Sequence, residues 1–148
     1  MTTNIELDTL AEKLKIKKYK PAICKDELKG KKVTENECGI INTGNTESVG
    51  SFHWCCYFKK GDYKVHFDSY GSPILPDIKD YLGENILCSN FQIQSFNSKE
   101  CGEYCIIVLY LLDKNSDFTR NHHEEVFKPL NIQFEDIVLS LVAEQSSS

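Results

Sequence analysis

The chain is predicted to fold as one α+β domain, a mixed or antiparallel sheet of about five strands with one buried apolar helix packed on it and smaller helices outside. Three observations predict this class. The run Phe52-His-Trp-Cys-Cys-Tyr-Phe, the turn chemistry of Lys60-Gly61-Asp62 and the alternating Tyr63-Lys-Val-His-Phe-Asp read together as two antiparallel strands joined by a short loop. Cys101 to Leu112 is apolar on nearly every face, the pattern of a helix buried in the middle of a domain. The 148 residues, 41% of them hydrophobic, suffice for one ordinary core and not for two.

The remaining elements are taken in chain order. Apolar Ile5, Leu10, Leu14 and Ile16, with Thr3 and Glu6 placed as a capping box, predict a short amphipathic helix from Ile5 to about Lys18. Lys13, Lys15, Lys17, Lys18 and Lys20 form its solvated face. Residues 19–38 contain Pro21, Gly30 and many charges without a sustained period, so they read as irregular surface structure. Gly39-Ile-Ile-Asn begins a strand, and the Asn-, Thr- and Ser-rich segment from Gly44 to Gly50 is a loop. Pro76 to Leu82, with Pro at the start and Gly83 just past the end, is a short helix. Asn85 to Gln94 returns to strand-like content, and Ser95 to Glu100 is a loop leading into the Cys101 helix. Two weaker helical segments, Glu124 to Leu130 and Gln133 to Ala143, complete a single domain over residues 1–143. The Ser-rich residues 144–148 are expected to be a disordered tail.

Bulk chemistry removes several function classes. With 17 basic and 22 acidic residues the formal charge is −5, which supplies no general field for nucleic acid. The longest apolar run, Cys105 to Leu112, is under half of the roughly 18 residues of a membrane span, so a soluble protein is expected. The N-terminus has no basic segment followed by an apolar run, and the seven cysteines are odd in number without a Cys-x-x-Cys pair. A reducing compartment is therefore expected, with neither a disulfide scaffold nor structural zinc.

Within this frame a few residues carry chemistry. A thiol acts as a nucleophile when ionised, and a helix N-terminus beside an imidazolium favours that form. Cys101 opens the apolar helix after the candidate caps Asn97 and Ser98, and Gly102 behind it would let a substrate backbone approach. A cysteine starting a buried helix is, taken alone, more often a packed small residue. His53 begins one hairpin strand and Asp68 ends its neighbour, so the two can meet at one edge of a sheet, the carboxylate fixing the imidazole tautomer. Gln94, seven residues before Cys101, can bring an amide donor beside the thiol as half of an oxyanion hole. Blander readings apply elsewhere: His66 as a surface residue, Cys55, Cys56, Cys88 and Cys105 as core filler, Cys24 and Cys38 without a role. A metal set of His122 and His123 with Cys101 and Cys105 is disfavoured.

These residues lie in segments that resemble a known family. Gly50-Ser-Phe-His53-Trp54, Phe67-Asp68-Ser-Tyr-Gly71 and Gln94-Ser-Phe-Asn-Ser-Lys-Glu-Cys101-Gly102-Glu-Tyr104-Cys105 look like the motif series of the adenovirus maturation protease, adenain. The wording is closest to relatives in virophages and self-synthesising transposons, and more distantly to the proteases that process ubiquitin-like modifiers. The resemblance covers residues about 36 to 112. It implies a cysteine endopeptidase with His53 as general base, Asp68 as its orienter, Gln94 and the Cys101 backbone N–H as oxyanion donors, and Trp54 as a wall of the substrate cleft. It further implies limited proteolysis of viral or virus-like capsid precursors, with cleavage after glycine. The protein substrate is then the expected partner, acting on a monomeric enzyme in the virion and host cytoplasm. Neither the disulfide-linked peptide nor the DNA that stimulates adenain is carried over, so no cofactor is expected. Removal of a ubiquitin-like modifier and acyl transfer to a protein acceptor stay open as alternatives, as does a binding module that kept the fold.

Overall fold

The computed structural model describes residues 3–46, 53–89 and 101–114. Its elements are α1 (Asn4–Lys13), β1 (Tyr19–Cys24), a 3-10 turn (Lys25–Leu28), β2 (Asn36–Asn42), β3 (Trp54–Lys60), β4 (Tyr63–Phe67), α2 (Pro76–Leu82), β5 (Leu87–Cys88) and α3 (Cys101–Lys114). The chain is α+β, with a five-stranded mixed sheet in the order β1-β2-β3-β4-β5. The two outer pairs are parallel and the two inner pairs antiparallel.

Thr3 caps α1 as expected, its Oγ1 accepting the Glu6 N–H at 3.2 Å. The helix stops sooner than its apolar period predicts. Lys15 and Lys18 adopt positive φ of 55° and 57°, and the Ile16 N–H returns to the Ala11 carbonyl while that of Lys15 returns to Glu12. This pair of bonds closes the helix as a Schellman cap, and it turns Ile16 back into the core. The segment from Tyr19 to Cys24 is not irregular, as its mixed composition suggested, but a true strand, β1. It is hidden in the sequence because Pro21 sits inside it at a register shift between Lys20 and Ile23. An edge strand tolerates this, and the Ala22 N–H, which the ladder does not use there, donates to Asp8 Oδ1 at 2.9 Å. The same oxygen accepts the Tyr19 hydroxyl at 2.8 Å, tying α1 to β1.

The β3–β4 hairpin forms as read, pairing Lys60 with Tyr63 across Gly61-Asp62, and Gly61 takes the positive φ of 58° that the turn requires. Alternate residues of the sheet enter two cores. Cys38, Ile40, Trp54, Cys56, Phe58, Val65 and Phe67 face α1 and α3. Ile41, Cys55 and Tyr57 pack with Leu28, Ile78 and Leu82 on the other side. That second cover is why His66, expected at the surface, is 1% exposed. Its strand is central in the sheet, paired with β3 on one side and β5 on the other. Cys88 is the opposite correction, exposed rather than core filler, because β5 is a two-residue edge strand.

α2 has the predicted bounds, with Gly83 at φ 87°. α3 is described from Cys101 and buries nine of its residues, Cys101, Gly102, Tyr104 to Leu109 and Leu112. Among the described residues no helix is long and apolar enough to cross a membrane. The rest of the expected strand after Ser89, the two C-terminal helical segments and the Ser-rich tail lie outside the described residues.

Candidate active site

In an antiparallel pair the start of one strand and the end of the next share one end of the sheet. His53 immediately precedes β3 and Asp68 immediately follows β4, so the hairpin brings them together. His53 Nε2 lies 2.8 Å from Asp68 Oδ1. The carboxylate accepts, so Nε2 carries the proton and Nδ1 is left to face away from Asp68.

Each partner is held by its backbone. The His53 carbonyl accepts the Thr43 N–H at 2.8 Å, and the His53 N–H donates to Thr43 Oγ1 at 3.2 Å. The Asp68 N–H donates to Ser89 Oγ at 3.0 Å, and the Ser89 N–H donates to the His66 carbonyl at 3.0 Å. Ser89, just past β5, thus fixes the acid. The Asp68 side chain is 4% exposed and that of His53 15%.

Cys101 is the first residue of α3 and 2% exposed. The backbone N–H of Trp54 donates to its sulfur at 3.4 Å, and Cys105, one turn on, donates its own thiol to the Trp54 carbonyl at 3.5 Å. One residue of β3 therefore positions two cysteines of α3, but only the first is directed to His53. Burial disfavours a charged imidazole. The hydrogen bond to Asp68, the Cys101 thiol near the ring and the charges of both outweigh that burial and raise the His53 pKa from 6.5 to about 9. Among the described residues Nδ1 is buried and meets no partner at ordinary hydrogen-bond geometry; catalytic contacts are often longer before substrate binds.

Other sequence-predicted residues fare differently. Trp54 is 6% exposed and belongs to the core beneath α3; its backbone N–H meets the thiol. Gly102 is buried, and a Cβ there would stand 2.9 Å from Leu7 Cδ2 and 3.3 Å from Trp54 Cδ1. The space its missing side chain leaves is filled by α1 and β3, so the packing of α3 on them favours glycine at this position. Gln94 lies outside the described residues, as do His122 and His123. Among the described residues no group of three or more metal-ligating side chains occurs.

Two residues escaped the sequence reading. Tyr70 stacks on His53, with ring centroids 4.2 Å apart and planes at 19°. The hairpin pairs Cys56 with Phe67 and Phe58 with Val65; continuing that register sets residue 70 opposite 53, a signal available once the turn is placed. Glu37 is 2% exposed at the far end of β2. It accepts the Tyr57 and Tyr81 hydroxyls and the N–H and hydroxyl of Thr34. Burial opposes its charge, but these hydrogen bonds prevail and hold its carboxyl below the usual range. Nothing in the alternation of β2 marks it as buried, since its partners come from α2 and from β3.

The arrangement can perform nucleophilic chemistry: a thiol at a helix start, a base beside it and a carboxylate orienting the base. Compared with known proteins, the chain matches no protein-family model and no curated protein.

Proposed function

We propose that the chain is a cysteine endopeptidase of the adenain type that processes viral or virus-like capsid precursors by limited proteolysis. The observation that carries the reading is the 2.8 Å bond from His53 to Asp68 beside the buried thiol of Cys101. The resemblance to adenain adds the motif order His53, Asp68, Gln94, Cys101.

The raised pKa of His53 keeps the imidazole largely protonated at neutral pH, and the attacking species is the thiolate of Cys101 paired with that cation. Cys101 Sγ attacks the scissile carbonyl carbon. The carbonyl electron pair moves to oxygen, where the Cys101 N–H and Gln94 are the proposed donors. As the tetrahedral intermediate collapses, the C–N bond breaks and the amine leaves with the proton of His53, giving a thioester. The neutral imidazole then takes a proton from water, whose oxygen attacks the thioester. The thiolate departs and the acid product is released. Asp68 keeps the ring in its Nε2–H tautomer throughout and stabilises the cation when it forms.

Substrate choice is a matter of space. A folded modifier needs a docking surface approaching about 800 Å² per partner, whereas an extended precursor segment needs a few strand-like hydrogen bonds along the cleft. Peptides spanning capsid-precursor junctions with glycine before the cut are expected to be hydrolysed, and fusions of ubiquitin-like modifiers to be poor substrates. Incubation with both, read by mass spectrometry of the products, tests this. Efficient cleavage of a modifier fusion with inert precursor peptides would reverse the choice of substrate, and turnover of neither would remove the hydrolase.

A further inference from the structure

An imidazole bonded to a carboxylate through one nitrogen can still tilt about that bond, and a tilt moves the opposite nitrogen away from its target. A second constraint, on the face of the ring, is needed to hold it. Tyr70 is the residue placed to supply it: its ring lies nearly parallel to that of His53, 4.2 Å away at 19°. Its main chain is anchored to the same acid, since the Tyr70 N–H donates to Asp68 Oδ1 at 2.8 Å, the oxygen that also accepts from His53 Nε2. The Gly71 N–H closes the turn onto the Asp68 carbonyl at 2.9 Å, with Gly71 at φ 74°. Acid, base and ring are therefore one rigid unit built by the turn from Asp68 to Gly71 and the histidine across from it.

We propose that Tyr70 is a positioning residue of this site, its ring holding the His53 imidazole in the plane that joins Asp68 to Cys101 and keeping water from the His53–Asp68 hydrogen bond. Its consequence for cleavage rests on the reading of the site as a protease; its effect on the ring does not. The face of an aromatic ring attracts a cation, so the stack serves the imidazolium as well as the neutral base. The groups that act on His53 are Asp68 just past β4, Cys101 on α3 and Tyr70 on its face, while His53 in turn acts on His66 of β4. Of these, Tyr70 alone stacks on its face among the described residues.

The test uses the full chain and two readouts, the NMR signal of the His53 Nε2 proton and the rate at which iodoacetamide alkylates Cys101. The wild-type protein is expected to show a slowly exchanging downfield proton. Tyr70→Ala should lose it and alkylate Cys101 about tenfold more slowly, because the base is no longer aligned. Tyr70→Phe, which keeps the flat face, should restore both. Tyr70→Leu, which keeps apolar bulk without that face, should fall between and serves if the alanine chain does not fold. A folded alanine variant with the proton and the alkylation rate of the wild type would overturn the proposal. So would a phenylalanine variant as impaired as the alanine one, or a leucine variant equal to wild type. A proton that responds to Tyr70 in a protein that cleaves no peptide would uphold the positioning role while removing the proteolytic reading.

Discussion

At the scale of single residues, Cys101 and Cys105 make a direct comparison, because both touch the backbone of Trp54 and only one is set against His53. Cys101→Ala is expected to abolish peptide hydrolysis. Cys105→Ala should retain most of it and cost about 1 kcal/mol of stability through the small cavity it leaves. Equal loss of turnover in the two variants would mean that the nucleophile is elsewhere. Asp68→Asn removes the charge that holds the imidazolium while keeping the shape of the acid. It should lower kcat by about a hundredfold or more and bring the His53 pKa down from about 9. Titration of the imidazole by NMR reads the second effect without any substrate, and an unchanged pKa would take Asp68 out of the site.

At the scale of elements, the start of α3 is positioned by how closely it lies on α1. Gly102 permits that approach, since a Cβ would meet Leu7 Cδ2 at 2.9 Å. Gly102→Ala must therefore push the flexible end of Leu7 aside or lift α3. The expected cost is about 1–3 kcal/mol, measured as a lower urea midpoint, and Leu7→Ala in the same chain should recover part of it by vacating the space. Strict additivity of the two changes would show that they do not share a contact. The elements also divide by how far the sequence shows them. The β3–β4 hairpin, α2 and α3 are local, the first two specified by turn or cap residues and α3 by its apolar run. β1 is not, because Pro21 breaks its pattern and the strand exists through pairing with β2 and through Asp8 of α1.

At the scale of the whole molecule, two histidines give stability opposite slopes with pH. Burial pushes His66 down to about 4, against a smaller upward pull from Asp68 and a further downward push from His53. The unfolded chain thus takes up its proton first as pH falls below 6.5, and stability is lost down to about pH 4, by roughly 3 kcal/mol for this group. His53 is raised to about 9, so its contribution is full below 6.5 and is lost as pH rises to about 9. Urea unfolding across this range should show maximal stability near neutrality, and His66→Leu should flatten the acid limb alone; an unaltered acid limb would show that His66 is not what drives it. By itself the sequence determined the α+β class, the hairpin, the bounds of α2, the buried helical run of α3, and which residues were candidates for the site. Those are matters of local period, turn chemistry and the order of His53, Asp68 and Cys101. Only the tertiary structure decided that Gly102 lies against Leu7 and Trp54, that His66 and Glu37 are buried, that β1 is a strand and that Tyr70 stacks on His53. Each depends on a partner distant in the chain or on the exact register between strands. A residue's neighbours across a sheet or between helices are set by the whole packing arrangement, which no local pattern encodes.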